Sequence, residues 1–362
     1  MSKSVMGLIG LLTLMLGWAD ISFSGSANRG MGGAGLAILR NPAAQCYVNP
    51  AAIAYVRGFR LGMGGFDVGT RGASLDDLVD ALQIRQGSAI DIDEGARWLR
   101  QFADEDTSLT VMGDFGFIIN GFGLSVGGVV EARFLPNDPL RNWARTDGDI
   151  DNIPLTSRGD IIAIAAISLP DITGGIRLPL QGGEVAIGAR VRTMRVFYTH
   201  YFADGNTLRT SDSAARAPEL GGRDFLERRA TGVDLGLIWK PDSTIPYTIA
   251  LVVENAVEPD VRFDATDRNG NPIRLQPLRR AVHVGFATEM ETGTLFALDI
   301  IDVGNRTGRG ELRLGAEQRL GALRIRSGYA SRTGWTAGLG IGGFNFAYSR
   351  EFPMQVSRSL VF

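Results

Sequence analysis

Residues 311–331 read ELRLGAEQRLGALRIRSGYAS. Leu312, Leu314, Ala316 and Leu320 alternate with Glu311, Arg313, Glu317 and Arg319; after Gly321-Ala322, Leu323, Ile325 and Tyr329 alternate with Arg324 and Arg326. A period of two is the mark of a strand with one apolar and one polar face. A glycine at the join of two such runs reads as a tight hairpin. The pattern recurs upstream. Val185, Ile187, Ala189 and Val191 face Arg190 and Arg192, and Val233, Leu235, Leu237 and Trp239 face Asp234. Tyr247, Ile249, Leu251 and Val253 face Glu254; Val282, Val284 and Phe286 face His283 and Glu289; Phe296, Leu298 and Ile300 face Asp299.

A soluble β-sandwich also alternates, with its apolar face inward. Three features favour a membrane-spanning antiparallel β-barrel, whose apolar face points outward and whose polar face lines the lumen. The runs have the length of a tilted spanning strand, about ten residues. Strands are expected at 57–70, 107–120, 121–134, 158–170, 183–202, 228–240, 246–255, 280–291, 293–303, 310–320, 322–331, 334–342, 343–350 and 355–362. That gives about 14 strands, an even number. Short turns fall at Asn120-Gly121, 291–293, 320–322 and 342–343, and long connections at 71–106, 135–157, 203–227 and 256–278, so every long one lies on the same side. The last feature is the ending, in which Leu360 and Phe362 close a strand-like run; Arg358 interrupts its alternation.

Of the long connections, 71–106 reads as a short helical outer loop: Ser74 caps, Leu75, Leu78, Val79 and Leu82 form a stripe, and Trp98 and Phe102 share a face. At the other end, residues 1–19 read as a cleavable signal peptide, with Lys3, an apolar run Val5–Leu16, and Gly17-Trp18-Ala19 at the cut. The apolar run is shorter than the roughly 20 residues a spanning helix needs. Between leader and first strand, RGMGGAGLAILRNPAAQCYVNPAAIA (29–54) packs Gly30, Gly32, Gly33 and Gly35 ahead of Asn41-Pro42-Ala43 and Asn49-Pro50-Ala51. Glycine admits backbone that other residues avoid, and proline fixes φ and removes a donor, so this stretch is irregular and closely packed. The expected division is signal peptide 1–19, an N-terminal plug or hatch inside the lumen at 20–56, and a barrel at 57–362.

Composition narrows the chemistry. The net charge is −2, which gives no support to nucleic-acid binding. One cysteine and two histidines allow no intramolecular disulfide and make a structural zinc site poor. Neither histidine sits in a triad setting, and no enzyme or cofactor is expected. Asp147 to Asn152 places oxygens at alternate positions, but it lacks the bidentate Glu at position twelve and a correctly placed glycine, so no metal is assigned. His283 falls on the lumen face and reads as a hydrogen-bonded structural residue. The lumen charges Arg190, Arg192, Glu254, Asp299, Glu311, Arg313, Glu317 and Arg319 are mixed in sign and expected to pair with each other or with the hatch. Arg29 and Arg40 are the hatch's own cations, facing Glu311, Glu317 and Asp299.

The run Arg29 to Ala37, followed by Asn49-Pro50-Ala51-Ala52-Ile53-Ala54, resembles the opening of the FadL-like outer-membrane proteins. That group includes long-chain fatty acid and hydrocarbon transporters, PorV-type secretion proteins and TraF-like conjugal transfer proteins. The acidic helical insert after the first strand looks most like the TraF-like branch. The resemblance implies a fourteen-stranded barrel in the outer membrane lipid, closed by a glycine-rich hatch carrying Asn-Pro-Ala. It also implies recognition of the C-terminal residues Leu360 and Phe362 by the barrel-assembly machinery. It implies either passive passage of a small hydrophobic molecule or a structural role with a secretion or conjugation partner. A charged lumen would favour the second.

Overall fold

Successive side chains on a strand point to opposite faces, so runs alternating apolar with charged residues pair most readily into one two-faced sheet. In a computed structural model, the described residues are 26–40, 42–71, 100, 102–104, 107–146, 150–205, 226–266, 272–274, 278–308, 310–342, 344–349 and 354–361. The first seven strands are β1 (Phe59–Arg71), β2 (Thr107–Ile119), β3 (Phe122–Pro136), β4 (Arg158–Leu180), β5 (Gly183–Asp204), β6 (Leu226–Pro241) and β7 (Tyr247–Val257). Two short ones, β8 (Arg262–Thr266) and β9 (Pro272–Arg274), pair with each other apart from the main sheet. The last seven are β10 (Ala281–Glu289), β11 (Thr294–Ile301), β12 (Glu311–Leu320), β13 (Leu323–Ala330), β14 (Gly334–Ile341), β15 (Phe344–Ser349) and β16 (Met354–Val361).

The main sheet holds fourteen antiparallel strands in sequence order. It closes because β1 pairs with β2 on one side and with β16 on the other, Arg60 opposite Val361 and Leu61 opposite Leu360. Closure removes the unpaired edge that an open sheet presents. One end carries short turns, at 120–121, 181–182, 242–246, 290–293, 321–322 and 342–343. Asn120 (φ 45°) and Gly121 (φ 83°) both take the left-handed backbone that a two-residue hairpin turn requires. The long connections gather at the opposite end. One of them carries the helix Asp138–Arg145, capped by Asn137 and packed through Leu140 and Trp143 against Ala103 and Ile153.

β4 differs from expectation by continuing past residue 170 to Leu180. Pro170 and the glycines at 174–175 look like a stop, yet a bulge between Ser168 and Asp171 absorbs the proline and the ladder resumes. The helical reading of 71–106 falls almost entirely outside the described residues, as do the signal peptide, Asp147–Asp149 and Phe362.

The two faces separate cleanly. Leu312, Leu314, Phe296, Leu298, Ile300, Ile325, Leu339 and Phe346 are exposed on the outside, while Arg192, Asp234, Asp299, Glu317 and Arg326 are buried on the inside. The usual relation between polarity and burial is reversed around the sheet. Among the described residues no helix is long and apolar enough to cross a membrane.

The turn chemistry is testable. In Gly121→Val a β-branched side chain must hold a left-handed backbone, at a cost of about 1–2 kcal/mol. The folded barrel should therefore lose its fast-migrating electrophoretic form at a lower temperature than the parent protein.

Candidate functional site

The segment before β1 is built from short irregular pieces: helical turns at Ser26–Arg29 and Pro42–Gln45 and a 3-10 helix at Pro50–Tyr55. It packs against the inner face of the sheet, with Met31, Ala34, Leu36, Ala51, Ala52 and Ile53 each at most 3% exposed. A chain this irregular cannot satisfy its own backbone, and buried backbone groups need partners. The wall supplies many of them. Asp299 Oδ2 accepts the Gly35 and Leu36 N–H groups at 2.6 and 3.1 Å, and Thr336 Oγ1 accepts from Gly32 N–H at 2.8 Å. Thr248 Oγ1 donates to Ala37 O at 2.5 Å, and Arg190 Nη1 donates to Tyr47 O at 2.7 Å.

Asn49 ties the segment to itself and to the wall. Its Oδ1 caps the 3-10 helix by accepting from Ala51 N–H at 3.0 Å, while Nδ2 donates to Leu36 O at 3.0 Å and Leu237 O at 3.4 Å. Pro50, at the first helical turn, has no N–H to leave unpaired. Asn28 and Gln45 exchange amide hydrogen bonds, 2.8 Å each way, and so tie the segment's two helical turns together.

Close approach depends on glycines in the wall as well as in the segment. A Cβ at Gly285 would lie 2.6 Å from Leu36 Cβ, at Gly315 2.5 Å from Met31 Cβ, and at Gly236 2.8 Å from Ala51 N. Gly338 would meet Gly30 Cα at 2.9 Å, and Gly188 and Gly328 are approached more tightly still. Within the segment, Gly32 and Gly33 hold φ of 70° and 82°, where a side chain is strained. The sequence brings the segment's glycines to notice; those of the wall are scattered, and only the folded barrel aligns them.

The lumen is layered along β5. Ala186 and Gly188 meet the segment beside Ile238 and Gly236. Next come Arg190 and Arg192 around the fully buried Asp234: Arg190 Nε and Nη2 reach Oδ2 at 2.9 and 2.7 Å, and Arg192 Nη2 reaches Oδ1 at 2.9 Å. Asn255 completes this layer, accepting from Arg192 at 2.6 Å and donating its N–H to Asp234 at 2.8 Å. It sits at a register shift between β6 and β7 with φ 50°, a strand position that sequence patterning passes over. Above the ionic layer the wall turns apolar. Met194, Val196 and Tyr198 join Val129, Ala166 and Ala230, under Val261 and Leu278 from the connection between β7 and β10. The sequence reading of a charged lumen holds beside the segment, and an apolar layer interrupts it toward the long connections.

The expected ion pairs sort into two groups. Arg40 contacts Glu317, and its Nη2 reaches Glu289 at 2.6 Å and Gly293 O at 3.0 Å. Arg29 Nη2 lies 2.7 Å from Met112 Sδ, on the other side of the barrel from its expected partners. Other charges pair within the wall instead of with the segment: Arg313 with Glu311 at 2.5 Å, and Glu254 with His283 at 3.2 Å and Arg192 at 3.9 Å. Arg319 is exposed at the end of β12 and donates to Gly321 O, so its expected pairing with the segment does not form. His283 Nδ1 accepts Asp302 N–H at 2.9 Å, which leaves Nε2 to carry the proton toward Glu254.

A barrel whose N-terminal segment is folded against the inside of its wall defines a class of closed antiparallel barrel. Within it, residues 46–350 match the family described as "F plasmid transfer operon, TraF, protein", and the chain belongs to that family. Its fold is similar to that of solved barrel structures. The structure of the Pseudomonas putida toluene transporter TodX is similar at 13% identity and a TM-score of 0.52, over 95% of this chain and 99% of that one. A deltaS2 mutant of the TodX monoaromatic hydrocarbon channel is similar at 13% identity and a TM-score of 0.53, over 94% and 97%. No curated protein matches the chain in sequence.

Cys46, the chain's one cysteine, is buried in the segment beside Tyr47, Ile53 and Ile118. Burial pushes its thiol up to about 12, which leaves it unreactive at neutral pH. It is a built-in reporter of the segment's seating. Asn49→Ala strips the hydrogen bonds to Leu36 O and Leu237 O, a loss of about 1–3 kcal/mol. Maleimide labelling of Cys46 should then accelerate about tenfold or more, since each 1.4 kcal/mol shifts an opening equilibrium tenfold. The folded parent should label slowly.

Proposed function

We propose that the protein is an outer-membrane barrel that passes small hydrophobic compounds, with residues 20–56 as its hatch, 57–362 as the barrel and 1–19 as a cleaved export signal. The observation that carries the reading is the apolar layer of Met194, Val196, Tyr198, Val129 and Ala166 above the ionic layer. It offers a hydrophobic solute an apolar surface on the far side of the ionic layer from the hatch. The outer face supports placement in lipid. At about 3.3 Å per residue the outward apolar run from Leu312 to Leu320 extends roughly 26 Å along the strand. Tilted about 40°, it covers roughly 20 Å of barrel height, against an apolar band of about 25 Å in outer-membrane barrels. Trp335 and Tyr348, 75% and 59% exposed, mark one border of the band, and Phe59, Phe122 and Phe344 mark the other. The short turns then face the periplasm. Leu360 and Phe362 serve the barrel-assembly machinery. TodX, a toluene transporter and monoaromatic hydrocarbon channel, is consistent with this substrate class.

Uptake of labelled toluene by cells with and without the protein tests the proposal. Uptake should rise with expression. Met194→Asp should reduce it about tenfold, because an unpaired carboxylate in the apolar layer costs well over 1.4 kcal/mol. Asn49→Ala, by loosening the hatch, should sensitise cells to bulky hydrophobic antibiotics. Equal uptake with and without the protein would favour a second reading, a non-transporting component of a conjugal transfer system that docks a partner on its long connections. The family description is the observation behind that alternative.

A further inference from the structure

On β5 and β6 the outward face is free of charge for ten residues and then changes abruptly. Val185, Ile187, Ala189, Val191 and Thr193 point outward from β5, and Trp239, Leu237, Leu235, Val233 and Thr231 stand opposite them on β6. The next outward pair is Arg195 opposite Arg229, and Glu227 follows on the same face of β6. Their neighbours fix the direction. Met194, Val196 and Ala230 are buried in the apolar layer of the lumen, whereas the side chains of Arg195, Arg229 and Glu227 are 44%, 76% and 37% exposed.

Like charges in register across a ladder repel. Glu227 offsets this in part: its Oε1 accepts from Arg195 Nε at 2.8 Å and lies 3.7 Å from Arg229 Nε. Phe197 also places Arg195, with its ring centroid 5.4 Å from the guanidinium carbon. Two guanidinium groups against one carboxylate leave a net positive charge at the end of an apolar outer face. Its height is informative. The ten residues from Val185 to Arg195 cover roughly 33 Å of strand, or roughly 25 Å of height at a tilt of about 40°. That equals the apolar band of about 25 Å in outer-membrane barrels. The arginines therefore stand where lipid tails give way to headgroups, at the border away from the short turns. A guanidinium fork matches the oxygens of a phosphate.

We propose that Arg195 and Arg229 form a headgroup site for a phosphorylated lipid of the outer leaflet, with the phosphate on the guanidinium groups and the acyl chains along Val191, Val233 and Leu235. The site rests on placement of the barrel in the outer membrane and is independent of what the lumen passes. Native mass spectrometry of the full-length protein in non-ionic detergent tests it, by titration with diphosphoryl lipid A and, separately, with phosphatidylcholine. One lipid A should be retained at concentrations where phosphatidylcholine is not. The double variant Arg195→Gln/Arg229→Gln should weaken that binding tenfold or more, since each cation near an anionic lipid contributes to the attraction. Lys240→Gln removes a cation at the short-turn end of β6 and should leave it unchanged. If the double variant fails to form a heat-modifiable barrel, Arg229→Gln alone, at the more exposed position, should weaken binding severalfold. Flotation with phosphatidylcholine vesicles reads the placement separately. A barrel that floats yet shows no preference for lipid A, binds it equally in the arginine variants, or binds inorganic phosphate but not lipid A overturns the site and leaves the placement standing. A barrel that does not float overturns both.

Discussion

An irregular peptide inside a closed sheet has no ladder of its own to join, and its buried N–H and C=O groups must find side chains. That constraint organises the interior of this protein. Asp299, Thr336, Thr248, Arg190 and Asn49 each meet a backbone group of the N-terminal segment. Polar residues at these positions are therefore fixed by where the segment's backbone runs. The wall glycines obey a matching constraint in steric form, since a Cβ at Gly285, Gly315 or Gly328 would collide with the segment. Charge and glycine are two halves of one arrangement: side chains where reach is needed, none where closeness is needed.

The ionic layer adds a second consequence. Asp234 is fully buried and accepts from two arginines and a backbone N–H, so its charge is compensated without water. Removing one partner from such a cluster leaves an uncompensated buried charge, which is far worse than never having had the pair. The layer is therefore rigid, and it separates the apolar layer from the segment below.

Much of the architecture was legible in the sequence because it rests on short-range rules. Strand faces follow from period two, and turns such as Asn120-Gly121 announce themselves by residue type. The segment's Gly30–Gly35 cluster and Asn49-Pro50 stand out by density. What escaped depends on registration between distant strands. Asn255 enters the Asp234 cluster through a bulge, β4 runs through Pro170 by another, and the apolar layer arises because Val129, Ala166 and Val196 come level on three strands. Arg319 and Arg192 looked alike in alternation, yet one ends at a solvent-exposed turn and the other at the centre of the wall. Periodicity assigns a face; height along the barrel axis is set by pairing partners that lie far away in the chain.

The seam between β1 and β16 has a bearing on how the molecule is made. It joins strands from opposite ends of the chain, with Arg60 beside Val361, so the ring stays open until nearly all of the polypeptide exists. The segment that fills the lumen precedes β1 and is synthesised first. It must therefore wait, unshielded, for the wall that will supply its hydrogen-bond partners. Loop closure over such a separation is entropically slow to find. The segment's contacts with β5, β6, β10 and β12 bring strands from across the sheet to one centre, and such a shared centre shortens the search. On this view the segment is a mandrel for the barrel as well as its occupant.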